Sequence, residues 1–145
     1  MPKKLSGIYW HKPNDLHHPL TRGFDDRFLA PHSRYTETPI EEIQKVKELI
    51  ILAESAQAGP FIIADRDCRN IFITGHAEYS RHTLMKEYTR DVAKGINPEI
   101  PCNYFEDNNP EKEPLFLWRS HANMLFANWL NHIVYLHTPN DLYEL

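Results

Sequence analysis

The segment Ile73-Thr74-Gly75-His76-Ala77-Glu78-Tyr79-Ser80 sets an imidazole and a carboxylate two positions apart, where an apolar run gives way to helical spacing. In extended backbone, residues i and i+2 project to the same side. Glu78 can then orient the His76 ring and favour its protonated form, or both groups can face one pocket. Gly75 frees the backbone to bend there. The same spacing also serves structural hydrogen bonding, so the pattern alone leaves both readings open. Pro31-His32-Ser33-Arg34-Tyr35 gathers a hydroxyl, an imidazole and a guanidinium, which suits carboxylate or phosphate recognition and is equally ordinary loop chemistry. His11, His17 and His18 could ligate a metal, but no cysteine, HExxH or carboxylate accompanies them at fixed spacing, so capping and surface roles are expected and a metal is not.

Lys4 to His11 is rich in β-formers and closes at Pro13-Asn14-Asp15, which predicts a strand and a turn. His17 to Thr36, broken by Pro19, Gly23 and Pro31, predicts an ordered loop with a brief strand. Thr38-Pro39 before Glu41-Glu42 predicts a capped helix to about Lys47. The apolar runs Leu49 to Ala53, Pro60 to Ala64 and Asn70 to Thr74 predict three strands, the last two a hairpin turning at Asp65 to Arg69. Ser80 is placed to cap a helix with the stripe Leu84, Met85, Tyr88 and Val92, ended by Gly95 to Pro98. Asn97 to Pro114 predicts a loop anchored by Tyr104-Phe105. Ser120 is placed to cap a last helix with the face Phe126, Trp129, Leu130, Ile133 and Val134, stopping before Pro139. Interleaved strands and helices predict an α/β fold.

At 145 residues and 41% hydrophobic content, the chain is expected to fold as one domain over residues 1–145. A net charge of −4 without a Lys/Arg block argues against nucleic acid as a partner. No apolar run approaches the roughly 18 residues of a membrane span, and no apolar signal region follows the N-terminus, so a soluble cytoplasmic protein is expected. Cys68 and Cys102 lack CxxC spacing and are expected to be free thiols.

Taken in order, LHHPLTRGFDDRFLAPHSRYTE, LAES, ITGHAEYSRHTLMKEYTRD, NPEIPCNYF and WRSHANMLFANWLN resemble the C-terminal half of homoserine O-acyltransferases of the transsuccinylase type. The resemblance covers essentially the whole chain. It implies a class I glutamine-amidotransferase-like (flavodoxin-like) sheet with flanking helices. It implies transfer of a succinyl or acetyl group from acyl-CoA to the hydroxyl of L-homoserine, a step of methionine biosynthesis, with acyl-CoA as co-substrate and no resident cofactor. In the family a cysteine attacks the thioester, a His acts as base and a Glu orients it. The His and Glu fall on His76 and Glu78, and substrate-binding positions fall on Lys4, Ser33 and Arg90. A homodimer is implied as well.

The family's cysteine belongs to an N-terminal half that these residues do not include, so the chain is expected to be a partial domain, inactive alone and requiring a complementary half. That half would cover a sheet edge and apolar face otherwise open. Cys68, in the hairpin turn, and Cys102, after Pro101, are poor substitutes, and a Ser33–His76–Glu78 triad lacks the GxSxG elbow. Ala77 stands where the family carries proline, which removes a φ restraint between the two side chains. A different class of function fits the same features: a non-catalytic amidotransferase-like binding or interaction module.

Overall fold

The structure, a computed structural model, describes residues 3–137. Its elements in order are β1 (Leu5–Pro13), β2 (Phe28–Arg34), α1 (Ile40–Gln44), β3 (Leu49–Ser55), β4 (Gly59–Asp65), β5 (Ile71–Ile73), α2 (Thr83–Ala93) and α3 (Arg119–Trp129). A π turn at Leu130–Val134 carries α3 into α4 (Tyr135–His137). The five strands form one sheet in the order β2-β1-β3-β4-β5, and every pairing between these strands is antiparallel. The α/β expectation holds.

This sheet is curled. β1 pairs with β2 over seven positions, yet meets β3 only at Lys12 and Pro13. Register shifts between Ile51 and Glu54 bend β3 further. The two outer strands therefore converge: after β5, the Thr74 amide still donates to Phe61 O of β4 at 3.0 Å, while the next but one, His76, donates to Pro31 O of β2 at 2.8 Å. Pro31, which cannot donate to a ladder, is tolerated because β2 is an edge strand. Gly75 is required at this closure. A Cβ there would stand 2.7 Å from both Pro31 O and the Phe61 ring.

Several helix expectations are corrected. α1 stops at Gln44, short of Lys47, with Pro39 at its cap position, as a five-residue helix has little cooperative support. α2 begins at Thr83 and α3 at Arg119, so neither Ser80 nor Ser120 is an N-cap. Buried Trp118 fixes the start of α3 by donating from Nε1 to Tyr79 O at 3.0 Å. On α2, Val92 is half exposed while Asp91 is buried, because the helix face turned to the body pairs charges as well as packing Leu84. On the last helix Ala122, Leu125 and Ile133 are buried, while Phe126, Trp129 and Leu130 remain exposed. The predicted stop before Pro139 lies outside the described residues.

The inside of the curl is filled by Phe28, Phe61, His11 and His32, with the two imidazoles stacked at 5.0 Å. His11 Nδ1 donates to Tyr9 O at 2.8 Å, so in the neutral ring His11 Nε2 accepts from His32 Nε2 at 2.9 Å. Burial holds both rings neutral, pushing His11 down to about 4 and His32 to about 3, with the neighbouring His11 and Arg34 adding to the effect on His32. The stability consequence has a definite sign. Between the ordinary imidazole value near 6.5 and about 4, the unfolded chain binds protons that the folded chain refuses, so stability falls as pH falls, by on the order of 1 kcal/mol per pH unit. Burial of His18 acts in the same direction. Urea midpoints should therefore drop clearly from pH 7.5 to pH 5.5, above the range where carboxylates titrate. Equal midpoints would contradict the buried neutral pair.

Candidate active site

His76 and Glu78 lie in the turn that follows the sheet's closure, not in extended backbone as the spacing suggested. The turn is shut by the Tyr79 amide donating to His76 O at 3.1 Å, and this folding-back brings the two side chains together. His76 Nδ1 lies 2.9 Å from a Glu78 carboxylate oxygen. A ring that donates from Nδ1 keeps its lone pair on Nε2 when neutral, which is the atom a base must present. Among the described residues Nε2 has no hydrogen-bond partner. The side chains are 34% and 59% exposed, so the pair contributes well under about 1 kcal/mol to folding and serves orientation instead. Tyr79 lies flat on the imidazole, with ring centroids 4.2 Å apart and planes 12° from parallel.

A second cluster adjoins the first through Tyr79. Its centre is Glu87 of α2, a residue the sequence reading did not single out. Glu87 Oε1 accepts from the Tyr79 hydroxyl at 2.8 Å, and Oε2 accepts from Lys4 Nζ at 3.0 Å and from the Ser33 hydroxyl. Burial pushes the Glu87 carboxyl up, but the bonds from Ser33, Lys4 and Tyr79 outweigh it and hold the group below its ordinary value. The Tyr79 hydroxyl is pushed well above its ordinary value by burial and by the anion it bonds. One turn on, buried Asp91 binds Lys4 Nζ at 3.4 Å through one oxygen and Arg90 at 2.7 and 2.9 Å through the other. The Arg90 side chain is 54% exposed, yet Asp91 ties it to Lys4. Lys4 is no loose terminal lysine. Its side chain is only 16% exposed.

Thus Lys4, Ser33 and Arg90 belong to one charged network, with Glu87 and Asp91 as the anions that order it. Only the i, i+4 spacing of Glu87 and Asp91 on the helix could have signalled it. The Ser33 hydroxyl donates to Glu87, so the alternative Ser33–His76–Glu78 triad is not formed. The His32-Ser33-Arg34 cluster also dissolves, because β2 alternates its faces: His32 enters the core, Ser33 meets Glu87, and Arg34 donates to Ala58 O at 2.5 Å. His11 and His18 do not converge either, as His11 faces His32 and His18 lies 3.6 Å from Cys68 Sγ. Cys68 sits in the β4–β5 turn with its thiol pushed up by burial. Cys102 is docked through its backbone onto β1. A cleft of about 450 Å³ is lined by Lys4, Tyr9, Tyr88, Asp91, Glu99 and Cys102; it touches the charged network but not His76.

Comparison with known proteins decides the family. The homoserine O-succinyltransferase family model matches residues 1–140. The chain belongs to the homoserine O-succinyltransferase family. It is 53% identical over 145 residues to the homoserine O-succinyltransferase of Proteus mirabilis (strain HI4320), covering all of this chain and 47% of that protein. It is 52% identical over 140 residues to that of Vibrio campbellii (strain ATCC BAA-1116), covering 97% of this chain and 45% of the relative. The chain thus spans a little under half the length of these curated relatives. Among solved structures, the crystal structure of SMU.1228c superposes with a TM-score of 0.56 at 19% identity, over 88% of this chain and 51% of that one. That likeness shows a glutamine-amidotransferase-like fold. No helix among the described residues is long and apolar enough to cross a membrane.

Proposed function

We propose that this chain supplies the general base and the substrate-anchoring cluster of a homoserine O-acyltransferase of methionine biosynthesis, working in the cytoplasm on L-homoserine and an acyl-CoA. The observation that carries the reading is the His76 imidazole, bonded to Glu78 through Nδ1 and bare at Nε2. A free thiol of pKa about 8.5 is a weak nucleophile near neutrality until a base removes its proton. Nε2 takes that proton from a cysteine on the family's N-terminal half, and the thiolate attacks the thioester carbonyl. CoA leaves as its thiol after protonation from the imidazolium, and the acyl group stays on the cysteine. The same Nε2 then takes the hydroxyl proton of homoserine. The resulting alkoxide attacks the acyl-enzyme, the cysteine recovers its proton, and the O-acyl product departs.

Glu78 acts throughout by holding the ring's tautomer and stabilising its charged form. Lys4, Ser33 and Arg90 hold the homoserine carboxylate or the acyl carbonyl, and Glu87 and Asp91 keep those groups ordered. The names of the relatives favour succinyl-CoA as the donor, with acetyl-CoA as the alternative to be compared directly. The test is homoserine-dependent CoA release from each donor, using this chain completed with the family's N-terminal half. The reading requires turnover that needs homoserine. CoA release indifferent to homoserine, or none from either donor, would refute it.

A further inference from the structure

Tyr79 touches both halves of the site and has been given no role so far. Its ring lies against the His76 imidazole at 4.2 Å, within 12° of coplanarity. Its hydroxyl donates to Glu87 Oε1 at 2.8 Å, on the carboxylate that also holds Lys4 and Ser33. Its backbone is fixed on both sides, the carbonyl by buried Trp118 at 3.0 Å and the amide by His76 O at 3.1 Å. The surroundings make this anchorage necessary. Ala77 leaves the turn without the φ restraint a proline would give, and the pair with exposed Glu78 sets the ring's tautomer only while the imidazole is kept within reach of that carboxylate.

We propose that Tyr79 is a positioning residue: stacking sets the plane of the imidazole, and the bond to Glu87 locks that plane to the Lys4–Ser33 cluster. Base and substrate anchors then move as one body. The ring also shields one face of the imidazole from water. A bidentate contact of this kind needs a phenol. Phenylalanine keeps the stack and loses the lock, and leucine loses both.

The meaning of this role for catalysis rests on the acyl-transfer reading, but the structural part is read without it. In the 145-residue chain at alkaline pH, 15N NMR of His76 should show a single tautomer, protonated at Nδ1 and bare at Nε2. Tyr79→Leu should give averaged tautomer shifts and lose the upfield ring-current shift of the imidazole protons, while a native far-UV circular dichroism spectrum and a cooperative urea transition report that the fold persists. In the completed protein Tyr79→Leu should lower kcat by about 10- to 100-fold with KM for homoserine within about threefold, as misplacement of a base affects the chemical step more than binding. Tyr79→Phe should keep the tautomer and lower kcat by about 3- to 10-fold.

Unchanged tautomer and kcat in folded Tyr79→Leu would overturn the proposal. Should the leucine variant not fold, an unchanged kcat in Tyr79→Phe would overturn it instead. A completed wild-type protein without turnover would sink the acyl-transfer reading, yet the tautomer comparison would still decide whether Tyr79 positions the ring.

Discussion

Replacing His76 by alanine is expected to lower homoserine-dependent acyl transfer by about 10³-fold in the protein completed with its N-terminal half, while leaving KM for homoserine close to its original value. The size follows from the double use of Nε2 in the proposed mechanism, where it accepts a proton in each half of the reaction. Among the described residues, the neighbouring candidates are committed elsewhere. Ser33 donates to Glu87, His32 is sealed in the core beside His11, and His82 pairs with Glu113 at 3.3 Å. The preserved KM follows from the separation of tasks, since the Lys4, Ser33 and Arg90 contacts to Glu87 and Asp91 do not involve the imidazole. The half-exposed setting of His76 makes the change benign for folding, so thermal unfolding should move by less than about 0.5 kcal/mol. An activity loss smaller than tenfold would remove His76 from the role of base.

The largest expected effect on stability comes from Gly7. At this point β1 receives the loop that follows α2 as if it were another strand: Ile8 N donates to Cys102 O at 2.8 Å and Cys102 N donates to Ser6 O at 3.0 Å. The approach is so close that a Cβ on Gly7 would meet Cys102 N at 2.4 Å and Cys102 O at 2.5 Å, both rigid backbone. Its φ of +141° is also a conformation that side-chain-bearing residues rarely adopt. Gly7→Ala must therefore push the loop off β1, which also loosens the bond from Asn103 to Ile8 O and the anchorage of Tyr104 and Phe105 in the core. A loss of about 4 kcal/mol or more is expected, a large share of the roughly 5–15 kcal/mol that keeps a domain folded. Gly95 is the internal control, with φ of +72° and nothing within 4 Å of an added Cβ. Gly95→Ala should cost only the left-handed backbone penalty of about 1–2 kcal/mol. Urea unfolding of the two variants checks this, and a Gly7→Ala midpoint as high as that of Gly95→Ala would contradict the docking described.

The pairing of His76 with Glu78 was legible because it is local, although the backbone achieves it with a turn where alternation suggested a strand. The strands at Leu49, Pro60 and Asn70 were legible for a similar reason, as apolar β-branched runs bounded by turn residues leave few alternatives. Long-range closure was not. Nothing in the order of residues announces that the curl lets His76 donate to Pro31 O, and Pro31 itself argued for a loop where an edge strand runs. Glu87 and Asp91 were hidden by an averaging assumption: charged residues on an amphipathic helix normally face water, but here α2 turns them toward Lys4 and Ser33. The exposure of Phe126, Trp129 and Leu130 was not legible either, because spacing identifies an apolar face without saying whether this chain covers it.

The central claim is that His76 serves a thiol on another stretch of the family's polypeptide and that nothing among residues 1–145 carries the acyl group. Mixing the completed protein with succinyl-CoA in the absence of homoserine, quenching, and mapping the succinylated peptide by mass spectrometry tests this most directly. The expected result is one succinyl thioester on a cysteine of the N-terminal half, formed readily with His76 and about 10³-fold more slowly with His76→Ala. A succinyl group on Ser33, Cys68 or Cys102, or equal labelling of the two proteins, would contradict the account.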